Sequence, residues 1–179
     1  MQLCPIHTQS TYYPAVQELL HQAFPPEERR PDSLQREYAD SNPLFTTLAI
    51  LHQGAFAGLL TYWQLPGFVY IEHLATRHEL RGQGLGQQVI ALFTSTIQCP
   101  VVLEVEPPAN DLTSRRIGFY QRCGFRLWSH SPYMQPAYAP HLPQVPLLLM
   151  AYGHLDEDTD FPHVRQHIHS AVYGIDFKG

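Results

Sequence analysis

Lysine is nearly missing from this chain: among its 11 basic residues only Lys178 is a lysine, the rest being arginine. Charge of either sign is scarce, at 15% of residues, against about 25% in ordinary globular proteins, which excludes disorder driven by charge. With 16 acidic residues the formal net charge is −5, and a mildly acidic chain is a poor general binder of nucleic acid. Cysteine is limited to Cys4, Cys99 and Cys123. The number is odd and no CxxC pair exists, which points to free thiols in a reducing compartment rather than a disulfide framework. Long hydrophobic runs are missing too. The longest, Val145–Tyr152, is broken by Pro146 and falls far short of the ~20 residues that span a bilayer. The opening MQLCPIHTQS lacks a basic start followed by an apolar stretch, so no signal peptide is read and a cytoplasmic protein without a membrane partner is expected. There is no internal repeat.

What is present suits one domain, residues 1–179, with a real core: 179 residues, 44% of them apolar. The 16 prolines are clustered. Pro25, Pro26 and Pro31 bracket the charged knot Glu27-Glu28-Arg29-Arg30, and Pro132, Pro136, Pro140, Pro143 and Pro146 punctuate a second stretch. Proline breaks helices and inner strands, so both are read as connections. Val16, Leu19, Leu20 and Ala23 recur at helical spacing over residues 13–24, and a shorter helix is read over 33–39. Residues 44–52 and 56–63 form a hairpin split at Gln53-Gly54. Further strands are read at 68–76, 101–106, 125–128 and 146–152. Helices are read behind a glycine-rich loop up to residue 97, at 113–123, and at 161–173 as the terminal element. The expected class is a mixed α/β layer with a short parallel step in its middle, residues 130–179 completing the sheet and adding the last helix.

The segment YIEHLATRHELRGQGLGQQVIALF carries the strongest chemical signal. A strand ends at Thr76, and Arg81, Gly82, Gln83, Gly84, Leu85 and Gly86 open a helix. Glycines let backbone N–H groups approach an anion, and the helix start adds unpaired donors and the positive end of a dipole. Together they make a pyrophosphate cradle. It is not a Walker loop, which needs Gly-Lys-Ser/Thr, nor a dinucleotide loop, whose third glycine is replaced by Gln87. Arg77, Arg81, Arg115, Arg116 and Arg122 gather around it in sequence, a local reversal of charge that suits a polyanion.

This segment resembles the acetyl-CoA-binding motif of the GNAT superfamily of N-acetyltransferases, in bacterial-type members: an aliphatic strand end, here Leu74-Ala75-Thr76, then Arg81-Gly82-Gln83-Gly84-Leu85-Gly86. A second stretch, Phe119-Tyr120-Gln121-Arg122-Cys123-Gly124-Phe125, resembles the family's helix ending in Phe/Leu-Tyr-x-x-x-Gly-Phe. The resemblance runs from about Tyr12 to Trp128 in element order and is tightest from Tyr70 to Phe125. It implies a GNAT fold and acetyl-CoA as co-substrate, with no metal. It also implies that Leu74, Ala75 and Thr76 hold the pantetheine arm, that the amides of residues 82–86 hold the pyrophosphate, and that Tyr120 is the general acid beside the sulfur. The family asparagine that touches pantetheine has Thr113 in its place, with Asn110 three residues earlier.

A base must take a proton from an ammonium acceptor, and a carboxylate fits that task. Strand alternation puts Tyr70, Glu72, Leu74 and Thr76 on one face, and Ile71, His73 and Ala75 on the other. The resemblance puts catalytic residues on the Glu72 face. Glu104, in the otherwise apolar Val-Val-Leu-Glu-Val-Glu strand, is the second candidate, behind Glu72. His73 is read as a packing residue. The proline-stiffened stretches are expected to wall the acceptor pocket, with Glu28, Tyr70 and Tyr133 as substrate-binding residues. His163, His167 and His169 lack a supporting ligand set and are read as a polar helix face. The expected activity is acetyl transfer to a primary amine of a small molecule or peptide, by direct attack in a ternary complex. A homodimer and an oxygen acceptor both stay open. The competing class is a non-catalytic module that binds or senses acetyl-CoA.

Overall fold

The computed structural model describes residues 1–175; Lys178 lies outside them. In chain order the elements are β1 (Gln2–Ile6), α1 (Tyr13–Ala23), α2 (Asp32–Ser41), β2 (Phe45–His52), β3 (Ala55–Leu65), β4 (Phe68–Thr76), α3 (Leu85–Thr96), β5 (Val101–Val105), α4 (Asp111–Arg122), β6 (Arg126–Gln135), β7 (Val145–Tyr152) and α5 (Glu157–Tyr173). The strands form one mixed sheet in the order β1-β2-β3-β4-β5-β7-β6, the mixed α/β layer that the sequence predicts. Among the described residues only β4 and β5 pair in parallel.

Local sequence accounts for several element ends. α1 buries Val16, Leu19 and Leu20 and stops at Phe24, whose extended backbone is what a following proline imposes. Asn110 accepts from the N–H groups of Leu112 and Thr113, while the Thr113 hydroxyl returns the bond to the Asn110 N–H, a capping box that starts α4. Gly124, at φ +90°, ends it.

Helices cover both faces of the sheet. α3 and α4 pack on one face, through Val89, Ile90, Phe93 and Ile117 against Ile71, Leu103 and Met150. On the other, α1 packs on Ala49, Leu51 and Ala75, and α5 packs through Phe161, Val164 and Ile168 on Trp63, Tyr70 and Trp128.

Three sequence expectations are corrected. First, the β3–β4 register slips between Thr61 and Tyr62: Thr61 pairs with His73 and Tyr62 with Ile71, so Glu72 is an extra residue. Such a bulge resets the alternation. Tyr70 and Ala75 therefore lie on the same side of the sheet, in the α5 and α1 clusters, while Ile71 and Leu74 pack with α3. Second, β6 does not end at Trp128. Its register against β7 jumps from Trp128↔Leu149 to Tyr133↔Leu147, and Tyr133, Met134 and Gln135 resume the strand, so Pro132 and Tyr133 are not in a loop. The bulge is sustained by Glu157, whose carboxylate accepts from the N–H groups of Ser129 (3.1 Å), His130 (2.7 Å) and Ser131 (2.8 Å). These donors would otherwise be unpaired. Third, α5 begins at Glu157, ahead of Pro162, because Asp156 caps it and Glu157, Asp158 and Asp160 sit in its first turn.

Candidate active site

β4 and β5 stay paired for only three positions, Val69↔Val101, Tyr70↔Val102 and Ile71↔Leu103. Past them the strands splay, opening a cleft of about 730 Å³ whose walls include Glu72, Glu104 and Tyr120. The bulge at Glu72 turns β4 away just where β5 continues along β7 to Val105↔Leu148.

One end of the cleft is formed by the start of α3. Gly84 is its N-cap at φ +75°, with no side chain bonded over the first turn and no acidic residue in it, so the amides of that turn carry no side-chain cap. A side chain at Gly82 or Gly84 would enter open space, whereas one at Gly86 would meet the Phe119 ring at 3.2 Å. Arg81, Arg116 and Arg122 line the same cleft. Uncapped amides, glycines that leave room, and the arginines Arg81 and Arg122 fit a phosphate-bearing ligand, while Arg116 is paired with Glu106 on the same wall. Leu74, Ala75, Thr76 and Leu85 also face the cleft. Gln83 does not: its amide turns back to the Glu79 carbonyl at 3.1 Å. Thr113 is buried behind the wall, its hydroxyl accepting from the N–H groups of Ala109 and Asn110 and donating to the Asn110 carbonyl. That hydroxyl is therefore spent within the α4 cap.

The two strand glutamates have opposite surroundings. Arg30 Nη2 donates to Glu72 Oε1, Trp63 Nε1 donates to Oε2 at 3.1 Å, and the Tyr138 hydroxyl donates to Oε1 at 2.7 Å. Both charged side chains are 1% exposed. Arg30 also donates to Gln35 at 2.7 Å and lies within 5.0–5.5 Å of the Tyr38, Phe45, Trp63 and Tyr138 ring centres. Burial alone would raise the Glu72 pKa, but the guanidinium and the other donors overcome it and hold the carboxyl below the usual range. Glu72 is thus held ionised at neutral pH as one member of a buried pair.

Among the described residues no cation pairs with Glu104. Burial pushes its pKa up to about 7, and the phenols of Tyr133, Tyr70 and Tyr173 offset only part of that rise. Tyr133 donates to Oε1, and Tyr173 reaches Oε2 at 3.1 Å. Tyr133 is 4% exposed and bonded to Glu104 rather than lining the cleft, and Tyr70 is wholly buried beside Glu104. Glu28 does line the cleft, and burial raises its pKa. His73 is buried and bonded on both nitrogens, Nδ1 with the Thr61 hydroxyl at 2.9 Å and Nε2 to the Glu28 carbonyl at 2.9 Å.

Tyr120 packs edge-on to Phe119 and Phe125. Burial pushes its pKa to about 12, so it holds its proton at neutral pH. Burial also raises the Cys123 thiol, which disfavours a thiolate. Among the described residues no cluster of three His, Cys, Asp or Glu side chains is arranged to hold a metal, and no helix is long and apolar enough to cross a membrane. His163 Nε2 bonds the Pro66 carbonyl at 3.0 Å and His167 Nδ1 bonds the His163 carbonyl at 2.8 Å.

Sequence reasoning did not single out Arg30, Trp63 or Tyr173. Nothing in Glu-Glu-Arg-Arg tells which arginine is buried, and Tyr173 reads as the plain end of a helix.

Comparison with known proteins agrees with this architecture. The acetyltransferase (GNAT) family model matches residues 13–125. A GNAT-family acetyltransferase structure from Bacteroides thetaiotaomicron is 38% identical and superposes with a TM-score of 0.94, covering 98% of this chain and 100% of that one. YjbC of Bacillus subtilis (strain 168) is 36% identical over 70 residues, 38% of this chain, and the chain spans 36% of that relative's length. A GNAT structure from Elizabethkingia anophelis, solved with acetyl-CoA bound, is 14% identical, covers 86% of this chain and 97% of its own, and has a TM-score of 0.61, a likeness of fold. With the family model spanning most of the chain and a relative of 38% identity spanning nearly all of it, the chain belongs to the GNAT acetyltransferase family.

Proposed function

We propose that the chain transfers an acetyl group from acetyl-CoA to a primary amine, with Glu104 as the base and Tyr120 as the acid. The observation that carries this reading is Glu104 itself: a cleft-lining carboxyl with a pKa of about 7, which at neutral pH is partly ionised and able both to accept and to release a proton. Glu72, ranked first because its strand face resembles the one that carries catalytic residues in the family, is set aside as base because its charge is already matched by Arg30.

When bound, the co-substrate supplies the acetyl group as a thioester open to attack by a neutral amine. The amides at the start of α3 and the arginines around them would hold its phosphates, and the open edge of β4 at Leu74, Ala75 and Thr76 would run along its arm. Glu104 takes the proton from the ammonium acceptor, the neutral nitrogen then attacks the thioester carbon, and the nitrogen loses its second proton to solvent as the amide forms. Tyr120, protonated at every physiological pH, gives its proton to the departing sulfur as the C–S bond breaks. Cys123, kept as a thiol, takes no part, which supports direct attack in one ternary complex. Glu28, on the cleft wall, would face the cationic acceptor before it is deprotonated.

The test is acetyl-CoA turnover against an amine panel, with thiol release as readout and the pH dependence of kcat/KM as diagnostic. Glu104→Gln should remove the acid limb near pH 7 and lower kcat by roughly 10²–10⁴-fold, with the loss shrinking at high pH, where the acceptor is already neutral. Glu72→Gln should keep the limb. Tyr120→Phe should lower kcat in the same range without weakening CoA binding. A limb that survives in Glu104→Gln and vanishes in Glu72→Gln would restore Glu72 as the base. CoA binding without turnover of any amine would leave a binding module.

A further inference from the structure

Glu104 is approached from every element around it. β4 brings Tyr70 and Glu72, β6 brings Tyr133, the β6–β7 connection brings Tyr138, and α5 brings Tyr173. Arg30 is the nearby cation, but it is spent on Glu72 and faces Tyr138; Arg165 and His169 of α5 lie beside Tyr133. Tyr133 donates a hydrogen bond to Glu104 Oε1 and Tyr173 donates to Oε2 at 3.1 Å, while the Tyr70 hydroxyl, buried beside the carboxyl, also favours its ionised form.

We propose that Tyr133 and Tyr173 are positioning residues for the Glu104 carboxylate: one phenol on each oxygen fixes its rotation and leaves its remaining lone pairs for the acceptor nitrogen or a water in the cleft. The inference rests on the reading of Glu104 as the base. A carboxylate offers about four acceptor directions, so two phenols do not exhaust it. Both donors are carried by the part of the chain after the family match, which ends at residue 125. Tyr133 reaches Glu104 because the β6 bulge, bonded to Glu157, restarts the strand at Tyr133↔Leu147. Tyr173 reaches it from the last residue of α5, where its ring also packs on Tyr138 at 4.8 Å. The C-terminal helix is therefore part of the catalytic apparatus as well as of the core.

A phenol donor favours the ionised form of a carboxylate, so its removal must raise the proton affinity of Glu104. The test measures kcat/KM against pH for Tyr133→Phe and Tyr173→Phe, with CoA titration and thermal melting to establish that each is folded. Each variant should move the acid limb upward by about one pH unit, the worth of a hydrogen bond to a charged group, so the rate falls below the limb and recovers toward the parent at high pH. Tyr138→Phe, which removes a buried phenol from Glu72 instead, should leave the limb where it is. A loss equal at all pH values, an unmoved limb, or an equal shift in Tyr138→Phe would overturn the proposal. Should Tyr133→Phe not fold, Tyr173→Phe, at the end of its helix, decides the matter alone. Glu104→Gln separates the two levels. A limb that persists in it ends the base reading and the proposal together. A limb lost there but unmoved in both phenylalanine variants ends only the positioning role.

Discussion

Replacing Arg30 by Met would test whether the Glu72 pair holds this part of the fold together. The exchange keeps much of the side chain's length and apolar stem and deletes its charge. It strands a fully buried carboxylate, takes one bond from Gln35, and removes a cation from among four rings. Breaking one side of a buried pair costs about 3–5 kcal/mol, against a total of roughly 5–15 kcal/mol for a domain. With a urea slope near 2 kcal/mol/M, the midpoint should fall by roughly 2 M. The loss should depend on pH in a defined direction. In the parent, the Glu72 pKa is depressed, so its stabilisation is present above the unfolded value and is lost as pH falls through the folded one. In Arg30→Met the same carboxyl is raised by burial, so acid relieves the strain, and the gap between the two proteins should narrow from pH 7 to pH 5. Removing both charges, in Arg30→Met/Glu72→Gln, should cost less than the two single losses added, with a coupling of about 2 kcal/mol. Urea melts at the two pH values measure all of this. A loss below about 1 kcal/mol, or simple additivity, would refute the idea that the pair is coupled and buried as described.

Three further outcomes follow from the geometry. Gly84→Asp puts a carboxylate at the uncapped start of α3. Calorimetry should show CoA affinity down by roughly 100-fold, the worth of one or two charge-assisted hydrogen bonds, with the fold kept because Asp tolerates a positive φ better than most residues. Glu157→Ala leaves three strand N–H groups without their acceptor and should lower Tm by roughly 2–8 °C. Glu104→Gln should stabilise the protein in a pH-dependent way. A carboxyl whose folded pKa is raised from 4.5 to about 7 makes the parent lose stability as pH rises between those values, to a limit of roughly 3 kcal/mol. The variant should therefore gain most at pH 8 and nothing at pH 4, and a gain flat with pH would mean that Glu104 is not perturbed.

The features legible in the sequence are those written in local chemistry. The α1 periodicity, the glycines ahead of α3 and the stop at Gly124 each depend on residues within a turn or two, and each lies where the pattern puts it. Glu104 was visible too, as an acid in an apolar strand. What could not be read is what decides its chemistry. Its phenol donors lie 29 and 69 residues away in sequence, and the Arg30 that neutralises Glu72 lies 42 residues before it. The two bulges were hidden for a related reason. Glu72 and the stretch around Pro132 look, residue by residue, like ordinary alternation and an ordinary proline-rich loop. One extra residue in β4 nonetheless brings Ala75 to the Tyr70 side of the sheet, and a carboxylate from α5 sustains the detour in β6. Ranking two glutamates by the strand face that each occupies, and by that face's resemblance to the family's, treats them as equivalent groups that differ only in direction. Their pKa values part because one is buried with a cation and the other with phenols, and that difference exists only once the ends of the chain have come together.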